Sequence, residues 1–225
     1  MENLKNRHYF EEPKFRNLLL LLLLYIVGVP FLEPYPSLTV LAHISLSMVL
    51  VVAIYAVNKH RHQRSVAIAL LLPLIVLYWL DIYDVVSFSR LGSQLLLAVF
   101  FGLLVYSFTV QIANASRVSA NVLYMTLSLY LIIGLFWGAL YTLLQEVSPG
   151  AYSGALLDNA QNTTHIFTYF SFVTLTTLGY GDITPQTAGA SSLCHMEAIV
   201  GQFYTAVVVA WLVGMFVSEK QNEDR

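Results

Sequence analysis

The sequence predicts an all-α membrane protein: six transmembrane helices, with a shorter re-entrant helix and a polar, glycine-bearing stretch between the fifth and the sixth. Three observations predict it. Hydrophobic residues fill 57% of the 225 positions and charged residues only 11%, against roughly 25% in ordinary soluble domains. The apolar residues gather into runs of the length needed to cross about 30 Å of hydrocarbon at about 1.5 Å per residue. One stretch between the last two runs, Thr174 to Asp182, is too polar to cross by itself.

Taken in order, residues 1–16 are polar and mixed in charge and are assigned as a cytoplasmic segment. The first span is expected over Asn17 to Leu32, with seven consecutive leucines, Leu18 to Leu24. It looks like a secretory signal, but no small-residue cleavage site follows, and Pro30, Glu33, Pro34 and Pro36 are expected to end it. Being short, it needs tilt or local thinning of the bilayer. The second span is expected over about Leu38 to Val57, the third over Ser65 to Asp84 and the fourth over Leu95 to Ile112. The fifth covers Asn121 to Leu144 and the sixth Leu193 to Val217. This divides the chain into a four-helix front part (17–117), a pore part (118–217) and a cytoplasmic tail (218–225).

Basic residues set the orientation, because they concentrate on the cytoplasmic side. With both termini inside, Lys5, Arg7, Lys14, Arg16, Lys59, Arg61, Arg64, Arg117, Lys220 and Arg225 all fall inside; Arg90 alone falls outside. The outer loops then hold Glu33, Glu146, Asp158 and Asp182, an arrangement that draws cations. A formal charge of −2 gives no reason to expect nucleic acid, and the single cysteine, Cys194, rules out a disulfide within the chain.

Between the fifth and sixth spans, a polar loop (about Gln145 to Asn162) precedes a predicted half-membrane helix, Thr163 to Thr176, rich in aromatic residues. Thr177-Leu178-Gly179-Tyr180-Gly181-Asp182 follows. Glycines adopt backbone angles closed to other residues, so carbonyls near Gly179 and Gly181 can point the same way. A stack of aligned carbonyls replaces the hydration shell of a cation.

This hexapeptide closely resembles the potassium-channel signature, usually written T-V-G-Y-G-D, with Leu178 in place of valine. The likeness covers about Asn121 to Val217 and implies a channel subunit of the prokaryotic six-helix kind. By the resemblance, Thr177 supplies a hydroxyl and a carbonyl, while Leu178, Gly179 and Tyr180 supply carbonyls to potassium. Asp182 caps the filter, Thr176 supports it, and Tyr169 and Phe170 brace the ring of Tyr180. Four identical subunits are implied, in a multi-pass plasma membrane protein surrounded by lipid, with potassium as permeant ion and no cofactor. The intact Tyr180 and Gly181 favour potassium over a non-selective cation pore. Val173 stands where some two-helix relatives carry glutamate. The fourth span contains no Lys or Arg, so voltage dependence is expected to be weak.

A protease reading competes. Gly179-Tyr180-Gly181-Asp182 satisfies the G-x-G-D pattern of intramembrane aspartyl proteases, and Tyr83-Asp84 supplies their Y-D. That family follows its second aspartate with P-A-L; here Ile183-Thr184-Pro185 follows Asp182 and P-A-L is absent.

Other candidates lie in the helices. Asp81 and Asp84 are expected to reach the interface or meet Arg90, and His43 to pack as a hydrogen-bonded core residue. His60 and His62 are read as part of a solvated basic loop. Gly201 is either a hinge or a close-packing glycine, with Thr205 and Val209, and Gln202 as an alternative, facing the cavity by the same resemblance. Glu197 lies one turn before Gly201 on the same face. It either reaches interfacial water or braces the filter from behind through Ser171 or Thr174, with its protonation affecting conduction.

Overall fold

The computed structural model describes residues 14–32, 35–56, 61–81, 89–115, 119–158, 163–208, 210–214 and 217. Its helices are α1 (Lys14–Leu32), α2 (Thr39–Ala56), α3 (Arg61–Asp81), α4 (Ser89–Ala113), α5 (Ala120–Val147), α6 (Thr164–Leu175) and α7 (Ala188–Phe203). A 3-10 turn, Pro36–Leu38, leads into α2, and a π-helical turn, Tyr204–Val208, continues α7. A two-residue antiparallel ladder joins β1 (Tyr152–Ser153) to β2 (Thr184–Pro185), with Tyr152 opposite Pro185.

Among the described residues, four stretches are long and apolar enough to cross a membrane: Phe15–Leu32, Arg90–Ala113, Ala120–Val147 and Ala188–Gly214. Val40–Ala56 and Ser65–Leu80 are shorter apolar helices. Large apolar side chains such as Leu24, Phe31, Leu72 and Leu127 stay exposed along these helices. Water would penalise such a surface, whereas lipid tails do not. The chain is an all-α membrane protein.

Several helix ends differ from expectation. Helix α1 starts at Lys14, three residues before the expected Asn17, and ends at Leu32 as expected, with Pro30 inside it. Pro30 falls in the last turn, where it removes only one backbone bond, and membrane helices tolerate such losses. At 19 residues α1 reaches about 28 Å, so the shortfall largely disappears. Helix α3 likewise contains Pro73. Helix α4 begins at Ser89, which takes Arg90 into its first turn, and α7 begins five residues before Leu193. There Thr187 is the N-cap, its hydroxyl accepting the Ala190 N–H at 3.2 Å. Ser119 caps α5 in the same way, accepting from Val122 at 3.3 Å.

Of the ten residues that set the orientation, Lys5, Arg7, Lys59, Arg117, Lys220 and Arg225 lie outside the described residues. Only the backbone of Lys14, Arg61 and Arg64 is described. Glu33, His60, Asp84 and Val209 also lie outside, and Asp81 and His62 are described by backbone alone. Arg90 pairs with Glu146 at the end of α5, Nε to Oε1 at 2.9 Å. Both are partly exposed, so the pair contributes no more than about 1 kcal/mol.

The helices form one apolar assembly. Helix α4 packs along α3 and α5, α1 packs on α2 and α5, and α6 sits between α5 and α7. Phe100, Phe101, Leu104 and Phe108 of α4 are fully buried, as are Leu18 and Leu22 of α1 and Leu46 and Leu50 of α2. His43 is buried with its ring stacked on Tyr78 at 4.4 Å between centroids. Gln94 of α4 donates from Nε2 to Thr164 Oγ1 at 3.0 Å, tying the front helices to the start of α6.

Helix α6 approaches α5 closely because α5 presents two glycines one turn apart, Gly134 and Gly138. A Cβ at Gly138 would stand 3.1 Å from the Thr168 Cα, and one at Gly134 would stand 2.6 Å from the Phe172 ring. Gly138→Leu must therefore push α6 outward, at about 1–3 kcal/mol for overpacking. A lowered Tm of the purified protein is the expected result. Gly28→Leu is the control, since an added Cβ there meets only the Leu24 side chain at 3.8 Å. Equal Tm changes for the two variants would contradict this account of the α5–α6 contact.

Candidate functional site

Helix α6 holds twelve residues, a length of about 18 Å, or roughly half a bilayer core. Its first residue follows Thr163, whose side chain makes no capping bond. Its carboxyl end carries the negative end of the helix dipole and lies two residues before Thr177.

The helix ends because the backbone changes hand. Thr177 takes φ 58°, Gly179 φ 59° and Gly181 φ 78°, while Leu178 and Tyr180 between them keep negative φ. Alternation of this kind gathers successive N–H groups on one side of the chain and leaves successive carbonyls to the other. Backbone bonds hold the N–H side. The N–H groups of Leu178 and Gly179 both donate to the Val173 carbonyl, at 2.9 and 3.3 Å, and Thr177 N–H donates to Thr174 at 2.9 Å. A threonine at positive φ costs about 1–2 kcal/mol where a glycine costs little. The strain marks a residue retained for its hydroxyl. That hydroxyl accepts from Gln202 Nε2 of α7 at 3.3 Å.

The outer end is clamped to the preceding loop. Asp182 Oδ2 accepts from the Tyr169 hydroxyl at 2.6 Å, and Oδ1 accepts from Ile183 N–H at 3.1 Å. This bond to Asp182 pushes the Tyr169 phenol up to about 12. The phenol stays protonated at physiological pH and loses the bond only as pH rises towards that value. Gly154 lies directly against the Asp182 carbonyl, where no Cβ would fit. The β1–β2 ladder and the bond from Gln186 N–H to the Ala151 carbonyl, 2.8 Å, complete the clamp.

Behind α6, Tyr141, Tyr152, Phe167 and Phe170 form an aromatic cluster with centroids 5.1–6.5 Å apart. Phe170 thus packs on Tyr141 and Tyr152, and Tyr169 holds Asp182. The Tyr180 side chain is 67% exposed in the single chain. Thr176 turns its hydroxyl to the Phe172 carbonyl at 2.6 Å.

Glu197 of α7 has no solvent exposure. Its carboxyl meets Ser171 Oγ at 2.5 Å and accepts from the Tyr141 hydroxyl. Thr174, the other expected donor, turns instead to its own helix at Phe170, 2.9 Å. Gly201 packs directly against the Leu175 carbonyl, at a distance that leaves no room for a Cβ. Ala198, Ile199, Gln202, Phe203 and Ala206 line a depression beside Thr177. Thr205 is not among them; its hydroxyl donates to its own helix, towards Gly201 and Gln202 carbonyls.

Three residues of the site carried no sequence signal. Tyr141 stands 56 positions from Glu197, and no local spacing links the two. Gln145 accepts from Tyr152 N–H at 3.0 Å, and Gly154 reads as an ordinary loop glycine. Among the described residues, no group of three His, Cys, Asp or Glu forms a metal-ligand cluster. The ligands on offer are backbone carbonyls and one hydroxyl, which suit a hard, weakly bound cation.

A short helix, a segment of alternating hand and a long following helix thus follow one another after α5. Residues 125–218, from within α5 to beyond the π-helical turn, match the family model described as an ion channel. The matched stretch is under half of the chain, and through it the chain is similar to that ion channel family. Neither the curated proteins nor the solved structures contain a match. The family is one of transport, not catalysis, and Asp182 serves here as an acceptor for Tyr169.

Gly201→Ala tests the contact with the pore helix. The added methyl group meets backbone, which gives way less easily than a side chain, so the purified protein is expected to lose about 1–3 kcal/mol of stability. An Ala variant as stable as wild type would remove the packing role and leave the hinge.

Proposed function

We propose that the chain is one subunit of a homotetrameric, potassium-selective channel, with six crossings, both termini cytoplasmic and residence in the plasma membrane. The observation that carries this reading is the alternating hand from Thr177 to Gly181, with its N–H side held on Val173. One strand of carbonyls covers only one side of an ion, so several copies must face a common axis. The exposure of Leu178, Tyr180, Met196, Ile199, Phe203 and Val207 supports copies meeting along this face of the filter and α7. The order of residues also supports potassium over a non-selective pore, because Tyr180 and Gly181 are intact.

The front helices α1 to α4 form a sensor-like unit without gating charges. Arg90, in the first turn of α4, is engaged by Glu146, and no other Lys or Arg occurs in that helix. Each charge moved through the field is worth about 2.3 kcal/mol per 100 mV, so a helix whose one basic residue is paired at its end gives little voltage dependence.

Purified protein in liposomes should carry potassium with sodium as competitor, and the reversal potential should follow the potassium gradient. Gly179→Ala should abolish the current: nothing stands within 4 Å of its Cβ in the chain, so the damage comes from forcing an alanine to φ 59°. Equal reversal potentials in the two ions would overturn potassium selectivity. A steep voltage dependence, worth several charges per subunit, would overturn the sensor-less reading.

A further inference from the structure

The buried carboxyl behind the pore helix has a hydrogen count that the filter reading does not use. Three contacts join α5, α6 and α7. Ser171 Oγ lies 2.7 Å from the Gly134 carbonyl and 2.5 Å from Glu197 Oε1, and the Tyr141 hydroxyl donates to Glu197 Oε2. A carbonyl only accepts, so the one Ser171 proton belongs to the Gly134 contact. Ser171 then has lone pairs alone to offer Glu197.

With an ionised Glu197, two protons would serve three acceptor contacts. Ser171 Oγ and Oε1 would face each other at 2.5 Å with nothing between them. With a proton on Oε1, three protons serve three contacts and the network closes. Among the described residues no basic side chain forms an ion pair with Glu197, and its exposure is zero. An unpaired charge at such a site is costly.

We infer that Glu197 is a positioning residue of the filter and works as a neutral acid, donating to Ser171 and accepting from Tyr141. The inference rests on the channel reading above. The link to the filter is short. Ser171 lies two residues before Val173, whose carbonyl anchors the N–H groups of Leu178 and Gly179. Four residues further along α7, Gly201 presses on the Leu175 carbonyl at the end of the same helix. The Glu197 network thus sets the seat of the pore helix, and the pore helix sets the filter.

A neutral acid has a particular isostere. Glutamine can donate from its amide nitrogen to Ser171 and accept on its amide oxygen from Tyr141. Leucine fills the space but offers neither. The test compares wild type, Glu197→Gln, Glu197→Leu and Tyr141→Phe in liposomes by potassium current and by the potassium-to-sodium ratio. Infrared spectroscopy of the same proteins follows the C=O stretch of a protonated carboxyl.

Glu197→Gln is expected to keep current and selectivity within about twofold, because both bonds are replaced, while Glu197→Leu loses about tenfold or more. Tyr141→Phe, a milder change, is expected to fall between them and serves if the leucine variant does not assemble. The wild-type spectrum should show a protonated carboxyl band at neutral pH that Glu197→Gln removes. Loss of current in Glu197→Gln equal to that in Glu197→Leu would overturn the inference, as would a band unchanged by the substitution. Normal current in all three variants would also overturn it. A wild type that conducts potassium and sodium alike would instead sink the channel selectivity reading, and the infrared band would still decide the proton.

Discussion

Everything about the site depends on two N–H groups sharing one carbonyl. Leu178 and Gly179 both donate to Val173 at the last turn of α6, and this holds one side of the filter segment against the protein. A backbone whose N–H groups are tied down on one side presents its carbonyls on the other. The alternation of positive and negative φ from Thr177 to Gly181 is the conformation that permits this. Glycine supplies two of the three positive angles at little cost, and Thr177 accepts strain to place a hydroxyl at the inner end.

The surroundings keep that carbonyl in place. Helix α6 is pressed on α5 through Gly134 and Gly138 and on α7 through Gly201. Aromatic rings fill the space behind it, and Glu197 joins the three helices through Ser171 and Tyr141. At the outer end, Tyr169 and Gly154 fix Asp182 by its side chain and its carbonyl. Lipid supplies no hydrophobic pressure between helices, so close packing and buried hydrogen bonds carry this load.

Much of this was legible in the sequence, for definite reasons. The apolar runs follow from the solvent, because a bilayer forces long uninterrupted helices. The segment of alternating hand is legible because its backbone demands glycine at particular adjacent positions. Glu197 stood out as an acid in an apolar helix, and Ser171 as a donor within reach. What could not be read depends on distant contacts. Tyr141 finds Glu197 only after α5 and α7 pack on α6, and Tyr169 reaches Asp182 only once the strand has turned.

The central claim is that the segment from Thr177 to Gly181 binds potassium through carbonyls at equilibrium, whatever opens or closes the path. Thermal unfolding of the purified assembly in potassium and in sodium at matched ionic strength tests it without requiring an open channel. Ligand at about a hundred times its Kd stabilises a folded state by about 2.7 kcal/mol, so a carbonyl site selective for potassium gives a higher Tm in potassium, rising with its concentration. Gly179→Ala should remove the difference. Identical Tm values for wild type in the two ions, across the whole concentration range, would contradict the account.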